Sequence, residues 1–190
     1  MELPAKKYNI VYADPPWRFK YRHGENDLSG HNEGIYHLMN IDEIKKLPVD
    51  TIADKNCVLF LWITDPFLRE GMDVMDSWGF TYKTVAFTWV KTNVSNNGYW
   101  LGMGYWTRSN PEMCLLGTKG SPKRIDSNVH QLVISHRREH SRKPDEVRNR
   151  IVSLCGDVSR IELFARNRFS GWDVWGDEVE NTIQNHLVEG

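Results

Sequence analysis

The sequence predicts an α/β sandwich built on a mainly parallel sheet, and three observations carry the prediction. Short β-branched and apolar runs alternate with helical segments along the whole chain, as in βαβ architecture. One run, 57–63, is apolar at every position, the pattern of a strand buried on both faces. No repeat, low-complexity tract or linker interrupts the 190 residues, so one domain over 1–190 is expected.

The elements follow in order. Residues 8–13 read as a short buried strand, stopped at Asp14-Pro15-Pro16, because proline lacks a backbone donor and the residue before it avoids helix. Residues 19–34 are polar, non-periodic and rich in His, Asn and Gly, hence a long loop. Asn40 caps a short helix, with Glu43 three residues on as in a capping box. Thr64-Asp65-Pro66 opens a second helix, which Gly79 ends. Residues 81–90 form a strand and 95–106 a loop of Gly, Asn and aromatic residues. Short apolar runs follow at 113–116 and 131–135. An amphipathic helix spans 144–154, with Gly156 just past its end, and a last strand covers 161–165. In open α/β sheets ligands bind beyond the carboxyl ends of the strands. Asp14-Pro15-Pro16-Trp17 after the first strand and Arg166 after the last then face one crevice.

Composition narrows the function little. Lys plus Arg number 24 against 25 Asp plus Glu, a balance that neither demands nor excludes nucleic acid. The three cysteines are far apart and form no CxxC, so neither a zinc ribbon nor a disulfide framework is indicated, and a reducing cytoplasm fits. No stretch resembles a signal peptide or is apolar enough to span a membrane. His130, His136 and His140 cluster without a cysteine or carboxylate set, so no metal is expected. The eight tryptophans serve either an aromatic core or exposed stacking surfaces. Arg137, Arg138, Arg142, Lys143, Arg148 and Arg150, with Lys119, Lys123 and Arg124 as a second cluster, form either a solvated face or a phosphate-contacting edge. Lys143 precedes a helix whose N-terminus could hold an anion.

The Asp-Pro-Pro-Trp turn has chemical potential beyond its geometry. The exocyclic amine of adenine is a poor nucleophile, because its lone pair is delocalised into the ring. Accepting hydrogen bonds from both of its N–H groups favours a pyramidal, more reactive nitrogen. Asp14 can accept one, and a carbonyl of the rigid turn, most simply that of Pro15, the other. Trp17 could wall the base pocket. This is positioning and electrostatic preorganisation. A plain tight turn is the competing interpretation of these four residues.

Ala13-Asp14-Pro15-Pro16-Trp17 resembles the catalytic motif of the MT-A70-like family of S-adenosylmethionine-dependent adenine-N6 methyltransferases. That family includes the catalytic subunit of the eukaryotic mRNA adenosine methyltransferase and many bacterial and phage proteins. Five further segments resemble family blocks in family order: Phe60-Leu61-Trp62, 89–93, 112–120, 140–146 and 161–166. The resemblance runs from about residue 8 to about residue 178.

The resemblance implies a class I, Rossmann-like three-layer sandwich with permuted strand order. It implies methyl transfer from S-adenosylmethionine to the N6 amine of adenine in nucleic acid, with DNA favoured over RNA. Asp14 and the Pro15 carbonyl would hold the amine, with Pro16 and Trp17 completing the catalytic turn. Cofactor contacts would come from Asp14, Lys119 at the methionine part and Arg166 at the ribose. Arg168 and Phe169 stand where the eukaryotic enzyme has a histidine and an asparagine, and Asp177-Glu178 where it has an Asn-Gln pair. Substrate contacts are assigned to Tyr36, to Lys91 and Asn93 in the 89–93 block, and to Tyr105, Trp106 and Arg108 in the aromatic loop. The implied partner is nucleic acid and not a membrane, in the cytoplasm of a bacterial or phage-infected cell; homodimer and heterodimer both stay open. A non-catalytic member that only binds nucleic acid or supports a partner is the alternative, and Asp14 and Lys119 argue against it. Methylation of a protein amide or small-molecule amine is a third, disfavoured by the 89–93 and 143–146 blocks.

Overall fold

The apolar run 57–63 lies at the middle of a seven-stranded sheet in the computed structural model, which describes residues 2–18, 38–96, 98–104, 106–138 and 142–181. The strands are β1 Tyr8–Ala13, β2 Ala53–Ile63, β3 Thr81–Thr92, β4 Glu112–Lys119, β5 Leu132–His136, β6 Arg160–Leu163 and β7 Asp173–Trp175. Their order is β5-β3-β4-β2-β1-β6-β7. β1 pairs in parallel with β2 and β6, β6 with β7, and β3 with β5, while β4 runs antiparallel to both of its neighbours. The sheet is therefore mainly parallel, as expected, with β4 reversed. The expected last strand is not the last: β7 follows it, and its three residues were too short a run to register as a strand.

Helices α1 Ile41–Lys45, α2 Leu68–Ser77 and α3 Glu146–Cys155 complete the layers. Alternation along the strands sends successive side chains to opposite faces. Val11, Leu59 and Leu61 pack toward Ile44 of α1 and Val74 and Met75 of α2. Ile10, Tyr12, Val58 and Phe60 pack toward Val147 and Ile151 of α3.

Local signals set the helix ends. Asn40 accepts from the Glu43 N–H at 2.9 Å, and the Glu43 carboxylate accepts from the Asn40 N–H at 2.7 Å, the reciprocal capping box. Thr64-Asp65-Pro66 opens a 3-10 turn, Asp65–Phe67, which leads into α2. Gly79 ends α2 at φ +78°; its N–H donates to Asp76 O, and Phe80 N–H to Met75 O. That is a Schellman motif, which needs a left-handed residue and so favours glycine. The loop expected at 19–34 lies outside the described residues.

Most of the tryptophans are core. Trp62, Trp78 and Trp89 are fully buried, and each indole N–H finds an acceptor: Tyr12 Oη at 2.7 Å, Ile44 O at 2.9 Å and Ser135 O at 3.4 Å. Burying an indole without such a partner would cost about 1–3 kcal/mol. Trp100 is half-buried, and Trp106 stands 91% exposed.

Candidate active site

Six of the seven strands end at one edge of the sheet, and the site forms there. Ala13 pairs with Leu61 and Leu163, so Asp14 emerges beside the ends of β2 and β6. The reversed β4 contributes its first residue to this edge, because Met113 pairs with Ile63 and Glu112 with Trp89. Lys119 pairs with Cys57 at the far end, about 20 Å away along six residues of strand.

A chain of alternating charges runs through the edge. Lys143 is 7% exposed, and its Nζ donates to both carboxylate oxygens of Asp14 at 2.8 Å. The same Nζ lies 3.1 Å from Glu112 Oε2, and Glu112 Oε1 lies 2.6 Å from Lys91 Nζ. The rings of Trp62 and Trp89 flank the two ammonium groups at 5.5 and 5.3 Å from their centroids. Burial alone would lower the Lys143 pKa, but Asp14 and Glu112 outweigh it and hold the ammonium above the ordinary lysine range. Burial alone would raise the Glu112 carboxyl, but Lys143 and Lys91 outweigh it and hold it below its ordinary value. Lys143 is thus a permanent cation that keeps the Asp14 carboxylate oriented.

Two cavities meet at Asp14, sharing Phe164, Arg166 and Glu178 as walls. The smaller, about 230 Å³, is faced by Pro16, Met39, Leu47 and Trp175, with Asp177 and Glu178 also lining it. The larger, about 680 Å³, is bounded by Arg137, Arg138, Arg142, Lys143 and Phe169. Phe164 sits between them at φ +59°, the left-handed region that a bulky residue enters only under strain. Its ring packs edge-on against Trp175 at 5.6 Å, which holds it there. Asp145 pairs with Arg138, Arg142 and Arg148, so one carboxylate serves three guanidinium groups. Arg148 also pairs with Glu162 at 2.6 Å. The rim of the larger cavity is therefore net positive.

The structure brings together some of the expected residues and separates others. Asp14, Pro16, Arg166, Asp177 and Glu178 line the smaller cavity, with Arg166 Nε 3.7 Å from Glu178 Oε1. Lys119 is a correction: it lies at the opposite edge, donating to Asp50 O at 3.1 Å, because β4 is reversed. Lys143, and not Lys119, is the lysine that reaches Asp14. Phe169 faces the larger cavity, with the Arg148 guanidinium 3.7 Å from its ring centroid, and the exposed Arg168 binds Glu180 O. Trp17 does not wall either cavity: it is buried, donates to Trp62 O at 3.1 Å and stacks on Phe67. The Pro15 carbonyl accepts from Trp17 N–H at 2.9 Å, and that of Pro16 from Met39 N–H at 2.9 Å, so neither is idle. Lys91 is an interior link to Glu112 rather than an open contact. Asn93 sits at the base of the loop, donating to Asn96 Oδ1. Trp106 and Arg108 are exposed at the loop tip, and Tyr36 and Tyr105 lie outside the described residues.

Glu112 was not singled out from the sequence, and Lys143 only as part of a basic cluster and as the residue before a helix N-terminus. The signal for both was the topology. A short strand entering the sheet antiparallel presents its first residue at the edge where its neighbours end. The chain's Lys143-Pro144 pair also stops short of α3, leaving the lysine free to reach inward.

A mainly parallel sheet with one reversed strand, and a two-part crevice at the carboxyl edge opened by an Asp-Pro-Pro turn, define a Rossmann-like methyltransferase. The MT-A70 family model matches residues 8–178, and the chain belongs to that family. It is 38% identical over 200 residues to the Type II methyltransferase M.MunI of Mycoplasma sp, covering 96% of this chain and 83% of that protein. It is 35% identical over 180 residues to a putative N(6)-adenosine-methyltransferase MT-A70-like protein of Medicago truncatula, covering 91% of this chain and 26% of the relative. It is 30% identical over 187 residues to the human N(6)-adenosine-methyltransferase catalytic subunit METTL3, covering 96% and 30%. The chain thus spans most of the bacterial relative and less than a third of these eukaryotic ones.

Proposed function

We propose that this chain transfers a methyl group from S-adenosylmethionine to the N6 amine of adenine in nucleic acid, with DNA as the preferred substrate. One observation carries the proposal: Asp14, clamped by Lys143, stands where two cavities of different character meet. S-adenosylmethionine, when bound, supplies an electrophilic methyl group on a sulfonium. The smaller cavity fits its nucleoside part, with Pro16, Met39, Leu47 and Trp175 as an apolar wall for a purine. Asp177 and Glu178 provide acceptors for ribose hydroxyls.

The acceptor adenine enters from the larger cavity. Asp14 accepts one N–H of its amine, since a carboxylate has more lone pairs than the single ammonium uses. The second lone pair of the Pro15 carbonyl accepts the other. Lys143 cannot serve as a base, because its proton is held by two carboxylates. It holds the Asp14 carboxylate in place, so the rate gain comes from orientation and preorganised charge. The proton released from the alkylated nitrogen passes to Asp14 and then to water.

DNA is favoured because the chain matches the type II methyltransferase over 83% of that protein's length. The basic rim of the larger cavity suits a phosphate backbone. One methyltransferase domain over 1–190, in a cytoplasmic setting where Cys57, Cys114 and Cys155 stay unpaired, is part of the same proposal. The test is incubation with labelled S-adenosylmethionine and matched DNA and RNA oligonucleotides, followed by digestion to nucleosides. Label in N6-methyldeoxyadenosine is expected, with less in the ribonucleoside. Cofactor binding without label in either would mean a non-catalytic family member.

A further inference from the structure

The segment between β3 and β4 carries an apolar tip that methyl transfer as described does not use. Its base is tied by Asn110, whose side chain accepts from Lys91 N–H at 3.0 Å and donates to Lys91 O at 2.9 Å. Further out, Gly102 N–H donates to Ser109 O at 2.7 Å and closes a short turn. A Cβ on Gly104 would lie 1.8 Å from the Thr107 carbonyl oxygen, so only glycine fits inside the turn. On this closed tip Met103 is 92% and Trp106 91% exposed, with the exposed cation Arg108 beside them. At the foot of the same segment Val94 lines the larger cavity together with Asp14.

Adenine inside a duplex hides its amine in the stack, so chemistry there requires the base to be turned out. Proteins that open base steps insert apolar side chains between them and hold the flanking phosphates with cations. We propose that Met103 and Trp106 enter a DNA duplex as an apolar wedge that displaces the target adenine toward the larger cavity, with Arg108 on the phosphate backbone. Charge selects this occupant: the exposed Arg108 belongs to the tip segment, and Arg137 and Arg138 line the larger cavity with Val94 at its foot. This inference rests on the adenine assignment made under the proposed function.

The test uses the full chain, as wild type, Met103→Ala and Trp106→Ala, with random-sequence linear duplex DNA and the same DNA heat-denatured. Opening a base pair costs a few kcal/mol, so losing the wedge should lower methylation of the duplex at least about tenfold. Methylation of the denatured form by Met103→Ala should stay within about threefold, because no stack has to be opened. Equal losses on both forms with Met103→Ala, or no loss on the duplex with either variant, overturn the wedge. So does a drop in mass by light scattering in either variant, which would make the tip a protein interface. Permanganate oxidation of thymines in the bound duplex reads opening without catalysis. Reactivity that rises with wild type and falls with Trp106→Ala supports the wedge even if no label is transferred, which would count against the adenine assignment alone. Unchanged reactivity with wild type overturns the wedge.

Discussion

Replacing Lys143 by methionine tests the buried charge chain at its centre. Methionine keeps roughly the length and volume of the lysine stem, so the packing change is small. What disappears is the cation 2.8 Å from Asp14 and 3.1 Å from Glu112. Removing one partner of a buried pair costs about 3–5 kcal/mol, because the remaining charge is uncompensated. Glu112 keeps Lys91 at 2.6 Å, and the Asp14 side chain is 27% exposed. Both facts point to the lower end, about 3 kcal/mol. For a chain of this length that is about 6–12 °C in Tm. Glu112→Gln in the same background returns the cluster of Asp14, Glu112 and Lys91 to net neutrality. The double variant should therefore be more stable than the two single losses predict, by about 1 kcal/mol or more. Urea unfolding of wild type, both single variants and the double variant measures the cycle. Losses that add within about 0.5 kcal/mol would show that the two side chains act independently and that the chain of charges is not a unit.

Other consequences are simpler. Trp62→Phe leaves the buried Tyr12 hydroxyl without its indole partner and should cost about 1–3 kcal/mol in chemical denaturation. A wild-type midpoint would mean that the hydroxyl finds another partner. Gly120→Ala should destabilise by at least about 2 kcal/mol, because φ is +67° and its Cβ would lie 2.1 Å from Lys55 O. Glu112 has a folded pKa below its unfolded one, so it contributes stability at pH values above the unfolded carboxyl pKa, about 4.3. That contribution disappears as pH falls through the lowered folded value. Glu112→Gln should flatten the acid limb of a Tm–pH profile; an unchanged limb would assign acid unfolding to other carboxylates.

Much of this molecule was legible in the sequence because the signals were local. Asn40 with Glu43, and Gly79 after an apolar-periodic stretch, each point to a helix end through hydrogen bonds within a few residues. The apolar strand at 57–63 and the proline stop at 14–16 placed the Asp-Pro-Pro turn at a strand's carboxyl end. Strand direction was not local, and there the sequence misled. Lys119 was assigned to the cofactor by the family resemblance, and a matching block carries no strand direction. Reversal of β4 sends Lys119 to the opposite edge and brings Glu112 to the site instead. The Thr118-Lys119-Gly120 block has its own structural duty: Gly120 turns the chain against Lys55 and Asn56. Lys143 was hidden among surface-type arginines, because only the fold shows that its stem runs inward between Asp14 and Glu112. Trp17 looked like a pocket wall in the motif, yet its indole N–H is spent on Trp62 O beneath the turn.

The role given to Asp14 can be tested most directly with Asp14→Asn, which keeps the shape of the turn and removes the charge. DNA is incubated with S-adenosylmethionine and either protein, digested, and its nucleosides analysed by mass spectrometry, with cofactor affinity measured by calorimetry on the same preparations. Wild type should yield N6-methyldeoxyadenosine. The variant should lose about 10²–10³ in rate, the usual cost of one preorganised polar group at a reacting centre, while binding the cofactor within about tenfold. Transfer at the wild-type rate by Asp14→Asn, or methyl groups recovered on any atom other than N6, would contradict the assignment.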